Sequence, residues 1–389
     1  MTAPPSDEAT GPLSGILIAD FSRVLAGPYA TMLLADLGAD VIKVEGPDGD
    51  DTRHWVPPLR GDVGTYYLAI NRNKRNIVLD LRDPGDAAVA HALSERADVF
   101  IHNFKPGGLD RFGLDYDSVA TRNPASIYCS ISGFGSAAGA SLPGYDLLVQ
   151  GMSGLMSLTG SPDGPGYRAG VAVFDVMTGL HSALGILAAL HHRSQTGQGQ
   201  HVETNLLSSA MSALVNQTSA YVAGGVVPQR MGNAHLSLFP YEPLPTGDGQ
   251  LIVAVGNDAQ FRKFTAALGI PEVADDERFR SVGTRNDRRE ELRPLLLERL
   301  GTDSAQRWFE ILTEAGVPCG PINDVRGGVE LAERLGLEPI VMAGDVPTVR
   351  NPIRMSATPA SYHRAPPAMD ADGDDIRTWL GFPVKGSTP

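Results

Sequence analysis

Cysteine is nearly missing: 389 residues hold only Cys129 and Cys319, neither with a Cys-x-x-Cys partner. That excludes a disulfide framework and a zinc ribbon, and it points to a reducing, cytoplasmic setting. Basic residues are scarce, 32 Lys and Arg against 45 Asp and Glu, for a formal charge of −13. Polyanions gain affinity mainly from clustered Lys and Arg, so nucleic acid and an anionic membrane surface are excluded as partners. The opening MTAPPSDEATGP has no basic start and no apolar run, and the longest apolar stretches break well short of the ~20 residues that span a bilayer. Neither export nor a membrane span is expected. Also missing are a G-x-G-x-x-G fingerprint, a Walker loop, a G-x-S-x-G elbow and an H-E-x-x-H pair. His191 and His192 fall on different helix faces, so no metal site is read there.

What is present is a composition of 42% hydrophobic and 20% charged residues, with 44 Gly and 29 Pro, which describes a globular chain of many turns. Its length calls for two domains, or for one large domain with an insertion. Ile16 to Ala19 form a short apolar run, PYATMLLADLGA from Pro28 reads as a helix, and Val41 to Glu45 return as a strand. Asn76 to Leu81, Val99 to Phe104 and SIYCSISGF read as further strands, with DPGDAAVAHALSERA helical between the first two. Alternation of this kind predicts an α/β fold with a mostly parallel sheet. From Tyr145 the pattern turns helical, and Met177, Leu180, Leu184, Leu187 and Leu190 recur at helical spacing from Asp175 to about Arg193. Beyond Gly224 and Gly225 a hairpin turning at Gly247-Asp248-Gly249, followed by charged helices, predicts a smaller α+β domain. The stretch after Ile340 is expected to return to the first domain.

Three features could carry chemistry. SRVLAGP follows the first strand, where open α/β sheets bind ligands, although Ala26-Gly27 reads equally as a tight connection. Arg72, Lys74 and Arg75 precede the strand NIVLDL, Arg82 follows it, and Lys105 and Arg111 follow VFIHNF. In parallel strands the two groups that follow a strand share one edge, which either holds the phosphates of an anionic ligand or is a solvated face. Asp175 stands between Phe174 and an apolar helix. Backbone donors at a helix start would keep its carboxylate ionised, as attack on a thioester requires, while its bland reading is a structural cap. His54, His102 and His235 are isolated, and Cys129 reads as a small buried side chain.

DFSRVLAGPYATMLLADLGADVIKVE, NRNKRNIVLDL, the NFKPG-x-LDRFGLDY stretch, SISGFG, PGYDLLVQGMSGLMSLTG and TGQGQHVETNLL together resemble the family III CoA-transferases, in consistent order over roughly residues 12 to 360. The resemblance implies an interlocked-ring homodimer of Rossmann-like large domains and small domains. On this chain the large domain would take residues 1–205, with 206–228 as a linker helix, 229–325 as the small domain and 326–389 returning. It implies acyl-CoA and a free carboxylic acid as substrates, with no permanently bound cofactor. The catalytic aspartate falls on Asp175. The CoA-contacting positions fall on Leu25 and Ala26, on Leu79, Asp80, Leu81 and Arg82, on Asn103, Phe104 and Lys105, and on Arg111. Tyr145 and Asp146 would approach the thioester end. The related α-methylacyl-CoA racemases use a Gly-His-Asp motif where this chain has Gly144-Tyr145-Asp146, and a tyrosine of pKa ~10 is a poor acid/base near neutrality. RMGNAHLSLFPY lacks the glycine run of the formyl-CoA transferases and looks more like members acting on dicarboxylates, with His235 facing the acyl group. Two other readings stand beside transfer: racemisation, and a non-catalytic CoA-binding module in which Asp175 only caps its helix.

Overall fold

The apolar runs pair as one parallel sheet. Its strands are β1 (Leu17–Asp20), β2 (Asp40–Glu45), β3 (Lys74–Val78), β4 (Val99–His102), β5 (Ile127–Ser132) and β6 (His201–Asn205). The spatial order is β3-β2-β1-β4-β5-β6. The chain winds outward from β1 through β2 to β3, then crosses to the other side of β1 for β4, β5 and β6. The winding therefore reverses between β1 and β4, and ligands of open α/β sheets bind outside the carboxyl ends of strands at such a reversal. This computed structural model describes residues 11–385.

Ile18, Ile42, Ile77 and Phe100 are fully buried in these strands. Each contributes roughly 1.5–3 kcal/mol by leaving water. Helix α1 (Ala26–Asp36) follows β1, and α2 (Thr65–Ile70) precedes β3. Helix α3 (Pro84–Arg96) starts where the sequence says it should: Asp83 accepts from the Gly85 and Asp86 amides, and Pro84 opens the first turn. Helix α4 (Tyr116–Arg122) leads to β5, and α5 (Asp146–Met152) follows it. The long α6 (Val173–Thr196) ends at Gly197, whose φ of 73° is the left-handed stop that glycine adopts freely. By length and composition α6 is apolar enough to cross a membrane, yet Phe174, Ala183, Ile186 and Ala189 are buried as in a core helix. It packs chiefly on α1, on the helix Leu206–Ala213 and on β6.

Two compact units divide the chain: residues up to Gly154, Ala169–Val226 and from Glu338 onward form one, and Leu155–Arg168 with Val227–Leu337 form the other. In the first unit the last segment supplies helix Gly373–Leu380, whose Ile376 and Leu380 join Val89 and Leu93 in the core. Arg377 of that helix pairs with Asp86, and the Asp372 carboxylate accepts the Asn76 amide. The second unit is built on the antiparallel strands Tyr241–Pro245 and Gln250–Ala254, turning through the expected glycines, with Leu251, Val253, Leu296, Trp308 and Leu312 in its core.

Several elements differ from the sequence reading. Strand β3 begins two residues earlier, because Lys74 and Arg75 find Asp20 and Asp40 as partners and are buried. Strand β6 was not read, since HVETN carries little apolar signal. The stretch expected as one linker helix contains two, Leu206–Ala213 and Val215–Val222, meeting at Leu214.

Gly179 sets how closely α6 approaches α1: a Cβ there would lie 2.6 Å from the Ala26 carbonyl oxygen and 3.2 Å from the Tyr29 ring. Substitution Gly179→Ala is therefore expected to destabilise by about 1–3 kcal/mol, read as a lower thermal unfolding midpoint. An unchanged midpoint would show that the helices part without cost.

Candidate active site

The segment after β1 is held at nearly every polar backbone group. Ser22 donates its amide and hydroxyl to Asp20, and its carbonyl accepts from Lys43 Nζ at 3.0 Å. The Asn103 side chain grips Arg23 on both sides, accepting from its amide at 2.9 Å and donating to its carbonyl at 2.7 Å. The Val24 amide donates to Asp50. Val24 has φ of 68°, a conformation that a β-branched residue adopts only under constraint, at a cost of order 1–3 kcal/mol. Beneath the segment lie two fully buried ion pairs, Lys43–Asp50 at 2.9 Å and Lys74–Asp20 at 3.2 Å. Burial opposes the charge on Asp20, but Lys74, Lys43 and the Ser22 and Thr31 hydroxyls together hold its carboxyl below the usual range. The segment is preformed. Leu25 and Ala26 are buried.

The basic groups sort into two kinds. Arg72 is paired with Asp36, Lys74 with Asp20 and Arg75 with Asp40, so the three cations that precede the strand are committed to ion pairs of the fold. Arg82 is exposed beyond β3 but holds Asp80 through two side-chain bonds of 2.9 and 3.0 Å. Lys105, beyond β4, is exposed and has no ion pair among the described residues; Arg111 is exposed and lies over the Phe112 ring at 4.6 Å. Phe104 is exposed, Leu79 is buried, and Leu81 packs at the edge of the core. Of the positions expected to contact CoA, Asn103 is thus occupied in holding the segment after β1, and Lys105 and Arg111 are the uncommitted cations.

Two carboxylates meet at the head of α6. Asp146, at the start of α5 and buried, accepts the Phe174 amide at 2.8 Å and the Asp175 amide at 3.2 Å with one oxygen. Its other oxygen accepts from Gln150 Nε2. Helix α6 has no cap from its own flanking residue, so Asp146 caps it from another helix. Asp175 lies in the first turn rather than at the cap, and its carboxylate has no hydrogen-bond partner among the described residues. Burial, reinforced by the charge of Asp146, pushes the Asp175 carboxyl up to about 7. That corrects the sequence reading, in which backbone donors were to hold Asp175 ionised: those amides serve Asp146.

Sequence reasoning missed Tyr66 in α2. Burial and the charges of Asp175, Asp146 and Asp50 push its phenol up to about 12. Its ring meets Trp55 edge-on at 5.3 Å. The aromatic pair in GTYYLAI was the available signal, but periodicity cannot say which tyrosine turns outward; Tyr67 is buried on Glu45 and Arg53. Tyr145 is exposed beside Asp146. His235, in the second unit, packs edge-on to Tyr241 at 5.2 Å, and its Nδ1 accepts the Ser237 amide. Among the described residues no cluster of His, Cys, Asp or Glu is arranged to hold a metal.

A carboxyl without a hydrogen-bond partner among the described residues, held at a helix head, suits acyl transfer to an aspartate. The chain matches the CoA-transferase family III profile over residues 13–373 and belongs to that family. It is an enzyme that transfers coenzyme A. Its sequence is 46% identical to the succinate–glutarate CoA-transferase of Agrobacterium fabrum, over 97% of this chain and 98% of that one. It is 39% identical to the human succinyl-CoA:glutarate CoA-transferase, over 92% and 83% of the two chains. The crystal structure of a CAIB/BAIF family protein from Brucella suis superposes with a TM-score of 0.86 at 42% identity, covering 95% of this chain and all of that one.

Because the folded-state pKa of Asp175 lies above that of an unfolded aspartate, its contribution favours folding fully below the unfolded value and is lost as pH rises through about 7. Asp175→Asn is therefore expected to unfold at a higher temperature than the parent at pH 8, the difference vanishing toward pH 4. An equal midpoint at pH 8 would show that the carboxyl is not perturbed.

Proposed function

We propose that this transferase exchanges CoA between succinyl-CoA and a second dicarboxylic acid, glutarate being the first candidate, with Asp175 as the nucleophile. The observation that carries the mechanism is the unpartnered carboxyl of Asp175, raised to about 7 at the head of α6. A more basic carboxylate is a stronger nucleophile once ionised. Its oxygen attacks the thioester carbonyl of the donor, the C–S bond breaks, and CoA leaves as thiolate. The thiolate then attacks the aspartyl carbonyl of the mixed anhydride and releases the donor acid, leaving an aspartyl-CoA thioester. The acceptor carboxylate attacks that thioester, and the freed thiolate takes the acceptor acyl group, restoring the Asp175 carboxylate. No proton changes hands in the sum, so the site needs no general acid or base.

Lys105 and Arg111 meet the phosphates in this reading, Arg82 joins them by exchanging Asp80 for a phosphate, and the amides of Leu25 and Ala26 line the approach. Leu79, Leu81, Asn103 and Phe104 shape that edge, and Tyr145 faces the thioester end beside Asp146. The dicarboxylate preference rests on the names of the relatives and on the GNAH–LFPY segment, whose His235 is the candidate acyl-group contact. Leu184, Val215, Tyr221 and Val222 expose apolar side chains on α6 and the two helices after β6, which supports a homodimer closing over that face. Two unpaired cysteines accord with a cytoplasmic setting. Racemisation is disfavoured by Tyr145, which stands where the racemase motif has its histidine, beside an Asp146 whose oxygens both accept hydrogen bonds within the fold.

Incubation with succinyl-CoA and a hydroxylamine quench is expected to leave a hydroxamate on the Asp175 peptide, by mass spectrometry, and Asp175→Asn should lose at least ~10³-fold in kcat. Full transfer by Asp175→Asn would reject the nucleophile. Among acceptors, kcat/KM for glutarate is expected to exceed that for the monocarboxylates formate and butyrate by at least ~10-fold; the reverse order would reject the dicarboxylate reading.

A further inference from the structure

We propose that Gln150 is a positioning residue for the nucleophile, and that it acts through Asp146. This rests on Asp175 being the nucleophile. Gln150 lies one turn after Asp146 on α5 and is completely buried. Its amide makes three contacts, all with the path that leads to Asp175. The Nε2 group donates to Asp146 and, at 3.1 Å, to the Val171 carbonyl. The Oε1 atom accepts the Ala169 amide at 2.8 Å. Asp146 in turn accepts the amides of Phe174 and Asp175.

Residues 146 and 150 thus form a two-point clamp. Gln150 fixes the bent approach at Ala169 and Val171, and Asp146 fixes the first turn of α6. Between them every residue from 169 to 175 lies within three positions of a clamped backbone group. An amide is the side chain that suits this place, because it must accept from one amide while donating to a carboxylate and a carbonyl. The clamp also explains how Asp175 keeps a fixed position although its own carboxylate has no hydrogen bond. Its backbone carries the constraint that its side chain lacks, and reactive geometry tolerates little error: a 1 Å displacement costs about 10²-fold in rate.

The test is Gln150→Met, which keeps length and bulk but removes every polar contact, with Gln150→Glu as the second variant, retaining the acceptor for Ala169 and losing the donors. In whichever variant folds, kcat for succinyl-CoA transfer is expected to fall about 10–100-fold while KM for the acyl-CoA stays within about 2-fold, with single-turnover hydroxamate formation at Asp175 slowed by the same factor as kcat. Parent-like kcat in a folded variant overturns the proposal, as does a loss carried by KM, and so does failure of both variants to fold. Asp175→Asn assayed alongside separates this proposal from the reading beneath it. An inactive Asp175→Asn with a parent-like Gln150→Met overturns only the positioning role, whereas an active Asp175→Asn overturns the nucleophile itself.

Discussion

The acceptance of two α6 amides by the Asp146 carboxylate is the interaction on which the site depends. A helix start has orphan donors and a positive end, and it ordinarily stabilises the nearest acid. Here the nearest acid in sequence is Asp175, yet the donors go to Asp146, from a different helix. The Asp175 carboxylate is left beside a negative neighbour, partly buried and without a hydrogen-bond partner among the described residues, and its pKa rises to about 7. The same contact anchors the backbone of the nucleophile and withholds stabilisation from its side chain. A well-satisfied carboxylate would be easier to bury and a weaker nucleophile.

The second constraint is the segment after β1. Its backbone is tied by side chains from β2's neighbourhood and from β4, with Asp50 and Asn103 as the two chief clamps and Val24 held in a left-handed conformation. The buried Lys43–Asp50 and Lys74–Asp20 pairs support that arrangement. Such pairs are weak sources of net stability, since desolvation offsets their attraction. Their value here is geometric: they hold the reversal point of the sheet in one shape, so that this surface does not have to be ordered when a ligand binds.

Much of this was legible in the sequence. Strands β1, β2, β4 and β5 follow apolar runs, the α3 start follows Asp83-Pro84-Gly85-Asp86, and the hairpin in the second unit follows Gly247-Asp248-Gly249. The location of Asp175 at a helix head was legible too, since an acid stood before a long apolar period. What could not be read was pairing at a distance. Asp146 caps a helix that starts 27 residues later, Lys74 is a strand residue only because Asp20 receives its charge, and Asn103 holds Arg23 across the sheet. Each of these is a hydrogen bond between elements, and neither periodicity nor propensity carries information about it. Strand β6 was lost for the same reason, as a polar edge strand defined by its neighbour β5.

The most direct measurement is the titration of Asp175 itself, by NMR of the unliganded protein labelled with ¹³C at aspartate side-chain carboxyls, with Asp175→Asn for assignment. A resonance that titrates near 7, disappears in Asp175→Asn and moves to lower pH in Asp146→Asn is the expected result. An Asp175 carboxyl that titrates near 4, indifferent to Asp146, would contradict the account.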